Sequence, residues 1–215
     1  MWCIPELTPE FIERMEDILN VYAKPYDSQE VVICLDEKPV QLVKEGREPI
    51  PGKAGSIKKR DYEYIRAGTA NVFCIVEPKA GQHFTYVTEN RKGKEFAKVL
   101  NRIAKHYSPV EKVHLVMDNL STHSLRSLTN FYGEEKGNEI WNKFVIHYTP
   151  KHASWLDQAE IEIGIYTRQC LGKSRIGDID ELNKKTKAWN KEVNKKKLII
   201  NWKFTTKEAR KKFKY

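Results

Sequence analysis

The chain has 215 residues and a formal net charge of +9, with 40% hydrophobic and 31% charged residues. That is ordinary for a globular protein long enough to bury a real core, in one domain or one domain with an appendage. No apolar run approaches the length of a bilayer span, and the N-terminus lacks a basic region followed by an apolar one. These features exclude a membrane-spanning helix and set the expectation of a soluble, cytoplasmic protein. Charge is unevenly placed: residues 184–215 hold 13 Lys or Arg against two acids, so the rest is slightly acidic. A basic segment beside an acidic body points to a polyanion partner held near an acidic centre, or else to a solvated lysine-rich face. The four cysteines (Cys3, Cys34, Cys74, Cys170) form no CxxC pair. They read as small hydrophobes in a reducing compartment rather than as a disulfide frame or zinc site.

In chain order, Thr8-Pro9 predicts a helix start, and Phe11, Met15, Ile18 and Tyr22 fall on one face of it. Residues 1–30 form this helix and its lead-in. A strand follows over Val31–Leu35, closed by Asp36, and Pro39–Val43 reads as a second short extended piece. The Gly-, Pro- and Lys-rich stretch 44–60 is a basic loop. Tyr62–Arg66, Asn71–Glu77 and His83–Thr88 are aromatic and β-branched, and read as antiparallel strands. Gly93–Tyr107 has helical spacing and ends at Pro109. Val113–Met117 is an apolar run that meets Asp118-Asn119 abruptly, as a buried parallel strand does. In such sheets ligands collect beyond the carboxyl ends of strands, although an Asx pair also simply turns a chain.

A helix is expected over Leu125–Tyr132, and Glu134–Glu139 is polar with no element assigned. Phe144–His147 is a short strand, Ser154–Leu171 a helix, and Ile179–Lys197 a highly charged helix. Thr205 and Glu208 have capping-box spacing for a last one. Strands, then helix, strand, helix, strand and helices describe a mixed α/β sheet with helices packed on it.

Two aspartates at the ends of buried strands would repel if the strands are neighbours, and a divalent cation removes the conflict. Oxygen-only ligands suit Mg²⁺ or Mn²⁺, and a third acid would complete a pair of ion sites. KHASWLDQAEIEIG offers Asp157, Glu160 and Glu162. On one continuous helix Glu160 shares a stripe with Leu156 and Ile163, whereas Glu162 points to the opposite side. Asp157 is one turn from Glu160 and stays open as a rival.

VVICLDEKP, LVMDNLSTH and HYTPKHASWLDQAEIE, in that order, resemble the DDE transposases of bacterial insertion sequences in the mariner superfamily. The similarity extends through DYEYIRAGTAN (61–71) to NWKFTTKEAR (201–210). It implies an RNase H-like core over 31–172, with a basic helical extension over 173–215 packed on or beside it. It implies a catalytic, metal-binding triad of Asp36, Asp118 and Glu160, holding two Mg²⁺ or Mn²⁺ ions, with Asn119 and His123 in support. Asp157 stands where the family usually has Asn. The implied activity is cleavage and strand transfer of DNA, transposon ends and target alike, by a homodimer assembled on DNA. A prokaryotic, nucleoid-associated setting goes with it. Relatives carry helix-turn-helix modules, which this sequence lacks, so a separate helix-turn-helix subunit is expected. The alternatives are a non-catalytic remnant serving in DNA binding or assembly, and a structure-selective nuclease of the same fold.

DNA contacts are expected from Lys58, Lys59, Arg60, Lys151, His152, Lys195, Lys196, Lys197, Arg210 and Lys211. His123 is read equally as an active-site imidazole or a satisfied helix-start residue. His114 is read as structural, and Trp155, Trp189 and Trp202 as core rather than as stacking platforms for bases.

Overall fold

A computed structural model describes residues 6–215. Cys3 lies outside that range; Cys34 and Cys74 are buried free thiols, and Cys170 is a partly buried one. Helix α1 (Pro9–Ala23) begins as expected, with Thr8 Oγ1 accepting the Phe11 N–H at 3.1 Å and the predicted apolar face buried.

Strand β1 (Glu30–Glu45) joins both predicted pieces into one strand of 16 residues, with a register shift between Gln41 and Val43. Asp36 is therefore inside a strand and not at its end. Pro39 interrupts nothing, because beyond Leu35 the strand keeps β2 (Tyr64–Glu77) as its only ladder partner and proline is tolerated on an edge. β2 likewise unites two predicted pieces through Gly68 at φ 105°. It pairs antiparallel with β3 (Gln82–Thr88).

The remaining elements are α2 (Gly93–His106), β4 (Lys112–Met117), α3 (Leu125–Tyr132), α4 (Glu134–Trp141) and β5 (Phe144–Tyr148). They are followed by α5 (Ala159–Tyr166), α6 (Ile179–Lys196) and α7 (Thr206–Phe213). Helix α4 was not anticipated. Its first turn is acidic, which suits a helix N-terminus, but Gly137 in its middle hides it from propensity. That glycine is needed for packing: a Cβ there would lie 2.7 Å from the backbone nitrogen of Thr129.

The sheet order is β3-β2-β1-β4-β5, with β1, β4 and β5 parallel and the other two pairings antiparallel. Strand alternation sends Val31, Ile33, Leu35, Leu115 and Met117 to one face, where α2, α3 and α4 supply Phe96, Leu100, Leu128 and Ile140. Val32, Cys34 and Val116 face the other way, onto α1 and the segment leading into α5.

The basic C-terminal segment packs on the core. α6 lays Leu182, Trp189 and Val193 against the outer halves of β1 and β2. Its Asn194 bonds both the N–H and the carbonyl of His83 on β3, at 2.8 and 2.9 Å. Gly81, at φ 62°, passes so close under the turn after α6 that a Cβ would lie 2.6 Å from the Lys197 carbonyl carbon. α7 has the predicted capping box and zips onto α1, where Arg210 forks onto Glu16 with two bonds of 2.7 Å.

Candidate active site

Parallel pairing of β1 with β4 ends at Leu35 and Met117, and the residue after each is an aspartate. Asp36 continues the alternation of Val32 and Cys34, so its carboxylate projects on the α1 and α5 face of the sheet. It is largely buried, accepts the Glu37 N–H at 2.7 Å, and is pushed up to about 7, first by burial and then by the charges of Glu160, Glu37 and Asp118. Asp118, at the true end of β4, is exposed.

His123 lies behind Asp118. Its Nδ1 is 2.7 Å from Asp118 Oδ1 and its Nε2 is 2.7 Å from Glu37 Oε1, with the imidazole and Glu37 carboxylate almost wholly enclosed. Burial alone would strip the ring of its proton, but the two carboxylates outweigh it and raise His123 to about 10. Asp118 responds in kind: burial pushes it up, and the His123 bond, assisted by the Leu120 N–H, carries it below the ordinary carboxylate range. His123 is thus a satisfied buried histidine that touches a candidate catalytic acid. Glu37 was missed. Its only sequence signal is that, as the neighbour of Asp36 in a strand, it must face the opposite side.

The continuous helix expected over Ser154–Leu171 is broken. A 3₁₀ turn covers Ser154–Leu156, Asp157 is extended (φ −84°, ψ 112°), and a π turn over Thr167–Leu171 follows α5. The break overturns the predicted stripe. Ala159, Glu162 and Tyr166 face the core, and Glu160 is exposed. Glu162 sits 2.6 Å from His83 Nδ1 in a buried ion contact, although neither ring nitrogen has a well-aligned hydrogen bond. Glu160 is nevertheless close enough for its charge to help raise Asp36. Asp157 is fully buried and held far above the usual carboxylate range, first by burial and then by Asp36. Its Oδ1 caps α5 by accepting the Ala159 N–H at 2.9 Å, and its Oδ2 has no partner. The capping role of Oδ1 is one that an asparagine side-chain oxygen can also fill.

Beside Asp118 opens a groove of about 950 Å³, walled by Phe11 and Arg14 of α1 and by Asn119, Lys151 and His152. His152 adopts a left-handed φ of 63°, which presents the Lys151-His152 pair outward at the groove's rim. Lys58 and Lys59 are exposed on the β1–β2 loop, and Lys195, Lys196 and Lys197 are exposed at the end of α6. Arg60 and Arg210 have protein partners: Arg60 bonds Glu45 and the Lys173 carbonyl, and Arg210 grips Glu16 beside exposed Lys211. His114 is structural, as expected, linked at 2.8 Å to His147 and at 3.0 Å to Glu30. Trp189 and Trp202 pack into the apolar clusters, and Trp155 is partly exposed against Phe204.

Residues 31–183 match the family model of the DDE superfamily endonucleases. The chain belongs to that family. Among solved structures it is similar to the catalytic domain of Mos1 mariner transposase, with a TM-score of 0.58 at 13% identity, covering 92% of this chain and 91% of that one. The five-stranded mixed sheet is the RNase H-like fold of that domain. A Mos1 transposase paired-end complex with left transposon end and a Mos1 mariner paired-end complex with Mn each match with a TM-score of 0.59 at 15% identity. Each of those two matches covers 92% of this chain and 61% of the other, so this chain spans about three-fifths of those proteins. No curated protein matches the chain. Among the described residues no helix is long and apolar enough to cross a membrane, and no three His, Cys, Asp or Glu side chains are drawn together tightly enough to hold a metal ion.

Proposed function

We propose that this chain performs metal-dependent cleavage and strand transfer of DNA, as the catalytic domain of a transposase. The observation that carries the reading is the ladder end at Leu35 and Met117, which sets Asp36 beside Asp118 with the charge of Glu160 acting on Asp36. The donor set is all oxygen, which suits Mg²⁺ or Mn²⁺. Asp36 carries a burial and repulsion cost that a cation would lift. Asp36, Asp118 and Glu160, not drawn together as placed in this structure, would have to close on two ions to hold them, and those ions would supply activation of water or a DNA 3′-hydroxyl and stabilisation of the leaving oxygen.

The protein's own residues do the rest. His123 fixes Asp118, Asp157 caps the start of α5, and the rim pair Lys151-His152 receives phosphate. The basic C-terminal face and the β1–β2 loop hold the DNA backbone, contacts that position without reading bases. Sequence reading at transposon ends is assigned to a separate helix-turn-helix element, and pairing of two ends to a homodimer on DNA.

Plasmid nicking tests the reading. In Mg²⁺ or Mn²⁺ the purified chain should nick with poor site preference, and Asp118→Asn should not nick at all while keeping its fold and DNA affinity. Equal nicking by both proteins, or none by either with a helix-turn-helix partner supplied, would overturn it.

A further inference from the structure

We propose that Glu37 is a positioning residue, which acts only through His123 to turn Asp118 so that one carboxylate oxygen is tied back and the other is presented to a cation. The inference rests on the metal-dependent reading above and adds a residue to it. Adjacent positions of β1 point to opposite faces: Asp36 goes to the metal side, and Glu37 goes behind the sheet, where it is 8% exposed. There its Oε1 meets His123 Nε2 at 2.7 Å.

The ring has little freedom left. It lies 4.7 Å from the Phe96 ring, its backbone N–H bonds the Leu120 carbonyl at 2.8 Å, and its carbonyl accepts the Tyr148 hydroxyl at 2.7 Å. With Nε2 anchored by Glu37, Nδ1 hydrogen-bonds the Asp118 carbonyl at 3.2 Å and lies 2.7 Å from Asp118 Oδ1 in an ion contact, and that Oδ1 also accepts the Leu120 N–H at 3.2 Å. Oδ1 is thereby occupied twice, and Oδ2 is the oxygen left for a cation. Neighbouring residues of one strand thus serve both halves of the site, one as a ligand and the other as the brace of the opposite ligand. Outer-shell carboxylates that orient a ligand typically account for about 10–100-fold in metal affinity.

The experiment is Mn²⁺ binding followed by electron paramagnetic resonance, on the wild type, Glu37→Leu, Glu37→Gln and Asp118→Asn, with no DNA present. Leu fills the volume of Glu without anchoring the ring, whereas Gln keeps an oxygen for Nε2–H. We expect Glu37→Leu to weaken Mn²⁺ binding at least about tenfold, with Glu37→Gln recovering part of the loss. Metal-free DNA affinity should be unchanged throughout. A folded Glu37→Leu variant that binds Mn²⁺ like the wild type would overturn the positioning role. If Asp118→Asn also binds like the wild type, the metal reading itself fails, whatever Glu37 does. Should neither Glu37 variant fold, the wild type decides by nitrogen-15 NMR. Mg²⁺ must then shift the His123 Nδ1–H resonance that Asp118 shares, and a resonance unmoved at saturating Mg²⁺ overturns the proposal.

Discussion

Leu35 and Met117 are the last residues to pair between the two central parallel strands, and their pairing is what sets two aspartates side by side. A slip of one residue in either strand would send one carboxylate through to the α2 face of the sheet. The apolar partners on both faces forbid that slip, so the register of the core and the geometry of the site are one specification.

Stability should fall as pH rises, through Asp36, buried Asp157 and His123, all of which are raised in the folded chain. Asp36, raised to about 7 in the folded chain, is protonated there without cost below its unfolded range; stability tied to it is present near pH 4 and lost as pH climbs to 7. His123, raised to about 10, adds stability that is full below about pH 6.5 and lost as pH rises towards 10. Urea titrations of the metal-free chain at stepped pH should show this decline. Asp36→Asn should make its lower half shallower, with Asp157 still contributing there, and leave the His123 window in place.

His123→Ala should cost about 3–5 kcal/mol, the range for removing one partner of a buried ion pair, because it leaves the Glu37 carboxylate enclosed and unpaired. Denaturant unfolding of the variant measures it. A cost under about 1 kcal/mol would mean that water reaches Glu37.

Asp157→Asn should leave fold, Mn²⁺ affinity and nicking intact, since the amide oxygen can cap α5 as the acid does. A gain in stability at neutral pH is expected, because the amide removes a group that resists ionisation in full burial. Loss of metal binding would instead make Asp157 the third ligand in place of Glu160.

DNA affinity should drop steeply with salt, with a log–log slope of about −0.9 per phosphate neutralised. Lys151→Ala should lower that slope by about 1 and weaken all sequences alike. Arg210→Ala should instead loosen α7 from α1, seen as a lower unfolding temperature, because its guanidinium is committed to Glu16.

Much of this was legible beforehand because it depends on short-range pattern. The apolar runs ending in Asp36 and Asp118 predict two buried strands, whose adjacency only the folded sheet supplies, and Thr8, Thr205 and Glu208 mark helix starts by their own chemistry. What failed depended on partners distant in sequence. Periodicity through Ser154–Leu171 assumed one helix axis, and a single extended residue, Asp157, reset the phase and moved Glu162, not Glu160, onto the core. Gly137 masked α4 because its value lies in a contact with Thr129. Glu37 carries no motif, and its role appears only once His123 is folded against it.

The clasp between α1 and α7 also bears on how the molecule is made. The side chain that grips Glu16 of α1 belongs to Arg210, synthesised almost two hundred residues later. Phe11 and Arg14 of the same helix wall the groove beside Asp118. The wall itself is seated by the apolar face of α1 on the sheet, so a nascent chain halted before α7 would already hold both aspartates and the groove, and α7 adds an outer clamp.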